Sequence, residues 1–366
     1  MSEASVFNPS RLTLARERVG LTKRALAELV DLTPKTISNL EKGEHYSTET
    51  VDLIAQSLKY PIKFFFDSDI AKPTEDNASF RSFSRVTATQ RNAALAAGAY
   101  AFMVGDWLND NFHLPEADIP DLSGYDPELA AIMLRNEWGL NDRPIRNIIH
   151  LLESKGVLVF SLAEENTQVN AFSCWQNGEK PYVFLNSFKS AESSRFDAAH
   201  ELGHLVLHKN TENKGKEAEI QADTFASEFL MPTTAIAARC TKVKSVSEIL
   251  KEKQYWFVSA FALAYKLHKT GLMTDWLYRS ACIEMSQKGF RKKEPLTRPH
   301  ERSQVIAKIL DQLRTQKKYT KHIAAELQLP EKEVSKLFFN IATVTAQSHE
   351  ATPPTKVRKP KLHLVE

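Results

Sequence analysis

Arg195-Phe196-Asp197-Ala198-Ala199-His200-Glu201-Leu202-Gly203-His204-Leu205 carries two histidines four residues apart with a glutamate beside the first. An α-helix rises about 1.5 Å per residue at about 3.6 residues per turn, so His200 and His204 stand one turn apart on one face and can converge on a single cation. Neutral imidazole is a good zinc ligand, and two histidines with one carboxylate leave an open position for a water that attacks a carbonyl. Glu201 falls beside that open position, where a general base belongs. The spacing predicts a helix over about Ser193 to His208 with hydrolase geometry on one face.

The third ligand is expected on the next helix, about Glu217 to Leu230, whose apolar side is Ala222, Phe225, Ala226 and Phe229 and which ends before Pro232. Glu219 lies fifteen positions after His204, enough chain to turn and come back. Asp223 follows one turn later on the same face, placed to accept an imidazole N–H and fix the tautomer of a ligating histidine. Glu217 is the rival ligand, but Gln221 stands one turn beyond it where a carboxylate would be needed. His208 continues the histidine row; three ligands on one straight helix cannot surround one ion, so a supporting role suits it better.

Upstream, residues 156–161, Ala171 to Trp175 and Tyr182 to Leu185 read as short strands, the last two joined by the turn-forming Asn177-Gly178. A small sheet is expected, and the strand around Ala171 to Trp175 offers its edge to an extended peptide, which favours peptide over ester hydrolysis. Tyr182, Tyr265 and His268 are the candidates for a second electrophilic donor.

Residues 195–205, followed by Glu219-Ile220-Gln221-Ala222-Asp223-Thr224-Phe225-Ala226-Ser227-Glu228-Phe229-Leu230-Met231-Pro232, resemble the ImmA/IrrE family of zinc-dependent metallopeptidases over about residues 145–290. The resemblance implies a gluzincin-like fold and, in several members, cleavage of a helix-turn-helix repressor that relieves repression. Carried onto this chain, it makes His200, His204 and Glu219 the ligands of zinc (Zn2+) and Glu201 the catalytic base. Many relatives have Glu where Gln221 stands. The same N/O donor set also suits manganese (Mn2+) or iron.

Nearer the start, Thr22 and the pair Thr33-Pro34 read as helix caps, and Leu12, Ala15, Val19, Ala25, Leu26, Leu29, Ile37 and Leu40 as an inward-facing set. Two short helices about the tight Asp31-Leu32-Thr33 turn match a helix-turn-helix, whose second helix enters a major groove. A fourth helix capped by Ser47 follows, with Val51, Ile54, Ala55 and Leu58 inward. Leu21 to Leu29 and Thr36-Ile37-Ser38-Asn39-Leu40-Glu41-Lys42-Gly43 resemble the lambda-repressor-like (XRE) helix-turn-helix family over about residues 8–66. That implies binding of a double-stranded DNA operator, usually as a homodimer on a palindrome. Lys35, Thr36 and Asn39 are then candidate base readers, and Ser38 and Lys42 candidate phosphate contacts.

Composition fits a folded chain of two or three domains: 366 residues, 42% hydrophobic, 25% charged. Three scattered cysteines, Cys174, Cys240 and Cys282, argue for a reducing compartment and against a cysteine metal cage. The chain opens without a signal-peptide pattern and has no long uncharged apolar run, so a cytoplasmic location and no membrane partner are expected. Residues 1–70 hold nine basic and ten acidic side chains, so affinity for DNA there must come from placement. Between Lys288 and Lys321 eleven Lys and Arg face three acids, a local excess of +8 that suits either a polyanion or a solvated surface.

The expected class is a multidomain α+β protein: an all-α helix-turn-helix domain (1–70), a linker and helical scaffold (71–125), a zincin-like metallopeptidase domain (126–290), a helical C-terminal domain (291–349) and a disordered basic tail (350–366). Within the fourth, helices over Glu301 to Leu313, Tyr319 to Leu327 and Pro330 to Phe339 form either a second DNA- or partner-binding unit or a plain appendage. The leading functional reading is a transcription regulator with a zinc endopeptidase domain acting on a repressor protein or on itself. The alternative is a non-catalytic regulator whose metallopeptidase-like domain senses a ligand, metal or partner.

Overall fold

The computed structural model describes residues 6–74, 87–162, 171–209, 215–241 and 243–340. Four helices open the chain, α1 (Pro9–Val19), α2 (Lys23–Leu29), α3 (Pro34–Leu40) and α4 (Thr48–Leu58), closed by a 3-10 turn over Ile62–Phe66. Their starts follow from local chemistry. Asn8, Thr22, Thr33 and Ser47 accept hydrogen bonds from first-turn amides, and Pro9 and Pro34 sit where no amide is needed. Leu12, Ala15, Leu26, Ile37, Leu40, Val51 and Ile54 make the interior. Two expected core positions do not belong to it: Leu29 is 54% and Val19 47% exposed. The two-turn α2 buries Leu26 and Ala27, with Val30 just beyond it, and Leu29 falls about a third of a turn off that stripe.

α5 (Ala88–Asn111) starts at a reciprocal cap between Thr87 and Gln90 and packs against α1. It is buried along most of Ala93 to Leu108, so the scaffold expected there is a central spine. A Cβ at Gly105 would lie 2.3 Å from the Tyr182 hydroxyl, which explains the glycine at this crossing. Part of the expected linker, residues 75–86, and the tail 350–366 lie outside the described residues.

The central part holds α6 (Pro127–Glu137), α7 (Ile148–Ser154), β1 (Leu158–Ser161), β2 (Ala171–Gln176), β3 (Lys180–Leu185), α8 (Ala191–Leu207) and α9 (Lys216–Leu230). The strands form one sheet in the order β1-β3-β2, β1 parallel and β2 antiparallel to β3. Asn177 and Gly178 turn the hairpin with φ of 54° and 74°, the left-handed pair a two-residue loop requires. Alternate residues face opposite cores: Phe172, Tyr182 and Phe184 toward the α5 side, Ala171, Val183 and Leu185 toward α8. β2 is therefore an edge strand beside the α8 layer. α8 packs on the sheet and against α9, and Gly203 makes the approach possible: a Cβ there would lie 3.1 Å from Phe225 and 3.2 Å from Ala222 Cα.

The remainder is helical: α10 (Thr233–Arg239), α11 (Val246–Trp256), α12 (Ala260–Lys269), α13 (Asp275–Gln287), α14 (Gln304–Thr315), α15 (Thr320–Glu326) and α16 (Glu331–Leu337). α11 and α12 are separated by a break at Phe257. Trp256 ends α11, Phe257 takes a left-handed φ of 59°, and Ser259 caps α12. The helix expected from Glu301 begins at Gln304, because Ser303 is its cap and Glu301 points back to α7 and α8. Among the described residues no helix is long and apolar enough to cross a membrane.

Candidate metal centre

His200 and His204 project from α8 and Glu219 from α9, and one donor atom from each lies within 4.8 Å of the others. The two Nε2 atoms are 3.1 Å apart; Glu219 Oε2 is 3.3 Å from His200 Nε2 and Oε1 3.4 Å from His204 Nε2. Two imidazoles and a carboxylate at this spacing are compatible with a divalent cation. Glu217, the rival ligand, is exposed outside the cluster.

The hydrogen bonds behind the cluster fix which nitrogens face it. His200 Nδ1–H donates to Asp223 Oδ1 at 2.9 Å, which leaves Nε2 as its inward lone pair in the neutral ring. His208 Nε2–H donates to Gln221 Oε1 at 2.9 Å; its Nδ1 then accepts from His204 Nδ1–H at 3.0 Å. His204 is thereby held with its Nε2 lone pair inward as well. With both rings neutral, three acceptors converge with no hydroxyl or amide donor among them, and that donor chemistry fits a metal ion.

Charge tells the same story. Burial lowers His200, but hydrogen bonds to Asp223 and Glu219 outweigh it and lift the imidazole to about 10. Burial lowers His204 to about 4. Glu219, pushed up by burial, is pulled down to about 2 by the two histidines. The cluster thus holds one positive charge on His200, where a cation would otherwise supply it.

Glu201, adjacent to His200, is buried, and its Oε2 accepts from Ser173 Oγ of β2 at 2.8 Å. Ser173 also reaches the Glu201 carbonyl at 3.2 Å, so the edge strand holds both ends of this residue. The three candidates for a second electrophilic donor, which spacing did not single out, are dispersed. Tyr182 is buried in the sheet and donates to Gln176 Oε1 at 2.8 Å, away from the cluster. His268 stacks on Tyr278 with centroids 4.6 Å apart, and Tyr265 lines a groove of about 1080 Å³ that starts at Asp197 and Asp223.

In the first unit, Ile37 and Leu40 point α3 into its core, which turns Lys35, Thr36, Ser38 and Asn39 outward. Lys35 and Lys42 are exposed; Thr36, Ser38 and Asn39 are half-buried. The Thr36 hydroxyl is tied to Thr33 at 2.9 Å. The buried Glu41 carboxylate gathers Arg16 at 2.5 Å and Lys23 at 3.0 Å, locking α1, α2 and the end of α3 together.

Sequence spacing missed Ser173 and the pairing of His208 with Gln221. The signal for Ser173 was a lone hydroxyl on an inward position of the edge strand; for Gln221 it was the polar residue two places after Glu219.

A helix-turn-helix unit joined to a small-sheet unit in which a His-Glu-x-x-His helix meets a carboxylate-bearing helix defines the class of protein. The family comparison gives the same answer: residues 12–65 match the helix-turn-helix family and residues 152–268 the IrrE N-terminal-like domain, a peptidase family. The chain fuses an N-terminal helix-turn-helix to an IrrE/ImmA-like peptidase domain. No curated protein matches it.

Proposed function

We propose that this chain is a DNA-binding transcription regulator whose central domain is a zinc-dependent (Zn2+) endopeptidase, hydrolysing peptide bonds of a regulatory protein or of the chain itself. One observation carries the reading: the inward lone pairs of His200 and His204 meet the Glu219 carboxylate, with the buried Glu201 carboxylate next to His200. When bound, zinc supplies a Lewis acid that makes water nucleophilic near neutral pH and polarises a scissile carbonyl. Glu201 takes the proton of the attacking water and delivers it to the leaving amine. Ser173 aims that carboxylate, Asp223 orients His200, and His208 with Gln221 orients His204. Among the described residues β2 ends the strand order β1-β3-β2, a position that suits pairing with an extended peptide by main-chain hydrogen bonds. The donor set also accommodates manganese.

In this reading residues 1–70 bind an operator as a homodimer in the cytoplasm, with Lys35, Thr36 and Asn39 toward base edges and Ser38 and Lys42 toward phosphates. Residues 71–125 connect, residues 126–290 hydrolyse, and the described part of the C-terminal domain 291–349 packs against both.

The test compares wild type with Glu201→Gln and His204→Ala. Metal content is measured on each, and each is incubated with its own chain and with neighbouring-gene proteins and read by intact mass. Near-stoichiometric zinc in wild type and Glu201→Gln but not His204→Ala, with a defined cleavage in wild type alone, is expected. Wild type without metal would overturn the reading.

A further inference from the structure

The C-terminal helices repeat the geometry of the first unit 297 positions later, Lys23 against Thr320 and Leu40 against Leu337. α15 and α16 have the lengths of α2 and α3, and the connections 30–33 and 327–330 are equally long. Asp31 and Gln328 take left-handed φ of 52° and 55°, followed by the same bond: Leu32 N–H to Ala27 carbonyl and Leu329 N–H to Ala324 carbonyl, both 2.9 Å. The preceding helices end alike, at Gly20 and Lys317 with φ of 78° and 58°. Leu26, Ala27, Ile37 and Leu40 are matched by buried Ile323, Ala324, Val334 and Leu337. Residues 304–337 are a second helix-turn-helix.

Its outer face is used differently. The positions of Lys35, Thr36 and Asn39 are held here by Lys332, Glu333 and Lys336. The Glu333 side chain is only 13% exposed; it accepts from Arg18 Nε of α1 at 2.5 Å and from Lys336 Nζ at 3.1 Å. Glu326, at the end of α15, accepts from Trp107 Nε1 of α5 at 2.7 Å. α16 packs chiefly on α15, as α3 does on α2, and in addition on α5 and β1. An acid buried against a neighbouring helix is not presented to a groove lined by phosphates.

We infer that the second helix-turn-helix is a protein-docking unit that binds within the same chain, its recognition-helix counterpart α16 seated on α5 and β1 and tied to α1 of the N-terminal domain through Glu333, and does not read DNA. Its other end is anchored beside the metal cluster. Glu301 accepts from the Ile148 and Ile149 amides of α7 and pairs with Arg195 of α8, the helix that carries His200. Glu153 of α7 in turn accepts from Ser303 and the first amides of α14. The unit runs from the metal-bearing helix to α1 and fixes how α3 is carried, leaving one open reading helix per chain.

The test uses the full chain. Arg18→Glu and Glu333→Arg, made singly, should each speed amide exchange across α14 to α16 at least tenfold, and the double charge swap should restore protection. Glu333→Gln, which keeps the side-chain shape, should move exchange in the same direction. On a mixed-sequence duplex at low salt, Lys321→Glu with Lys332→Glu should leave affinity within twofold, while Lys35→Glu with Asn39→Asp lowers it at least tenfold. The duplex arm rests on the proposed DNA binding; the exchange arm does not, so a wild type that ignores the duplex would remove the former reading and leave exchange to decide. Unchanged exchange in the single variants would overturn the docking role. Equal losses from both duplex pairs would make the unit a second DNA reader instead.

Discussion

Ser173 Oγ donates to Glu201 Oε2 across 2.8 Å, tying the edge strand of the sheet to the helix of the metal cluster. A hydrogen bond to a charged group contributes about 1.5–3 kcal/mol. If Glu201 is the proton carrier, Ser173→Ala should lower kcat by about 10- to 100-fold with metal content unchanged. Steady-state kinetics on the cleaved protein beside a metal assay checks this, and a kcat equal to wild type would remove Ser173 from the mechanism.

The chain Gln221, His208, His204 makes a second prediction. His208→Ala removes the group that accepts from His204 Nδ1, so the ring is free to turn its protonated nitrogen inward. Outer partners of ligating histidines are worth about 10- to 100-fold in metal affinity. Competition against a chromophoric chelator should show that loss for His208→Ala and a smaller one for Gln221→Ala. Gln221→Glu should retain wild-type affinity, since its carboxylate accepts the same hydrogen.

Cation and proton compete for His200. Its imidazole is lifted to about 10 in the metal-free fold, chiefly by Asp223 and Glu219 acting against burial, so the ring is protonated at neutral pH and must release that proton to ligate. The direction follows: acidification favours the protonated ring and weakens metal binding. Apparent zinc affinity should rise about tenfold per pH unit between about pH 6 and 9. Calorimetry in buffers of differing ionisation enthalpy should find close to one proton released per zinc.

The site was largely legible because its chemistry is local: His200 and His204 share one helical face, and Glu219 with Asp223 shares another, so the period of the helix brings both pairs into register. The caps at Thr22, Thr33 and Ser47 were legible for the same reason. Leu29 was misplaced because a seven-residue helix gives too few apolar positions to define its stripe. The break at Phe257 was hidden because a left-handed bulky residue leaves no compositional mark, unlike Gly20. Ser173 left only the faint mark of a lone strand hydroxyl and Glu333 none, their partners being 28 and 315 positions away. Over residues 304–337 the sequence left a second DNA- or partner-binding unit and a plain appendage as alternatives, because the repeat of the first unit lies in turn angles and buried positions, with Leu26 and Ile37 matched by Ile323 and Val334.

The Arg18–Glu333 pair makes the last prediction, about stability. Burial pushes the Glu333 carboxyl up, but Arg18 and Lys336 outweigh it and leave it below the ordinary carboxylate value. A depressed carboxylate contributes stability that is present above the unfolded value of about 4.3 and disappears as pH falls through the folded one. Removing one partner of a buried pair costs about 3–5 kcal/mol, because the other charge stays behind. Glu333→Gln should therefore be several degrees less stable than wild type at neutral pH. The two melting curves should draw together as pH falls below the unfolded value of about 4.3 and meet once it has passed the lower folded value, where the wild-type carboxyl takes up its proton and Arg18 loses its charged partner in both proteins. Thermal melts from neutral pH downward check this, and a difference that persists undiminished in acid would show that shape, not charge, holds α16 against α1.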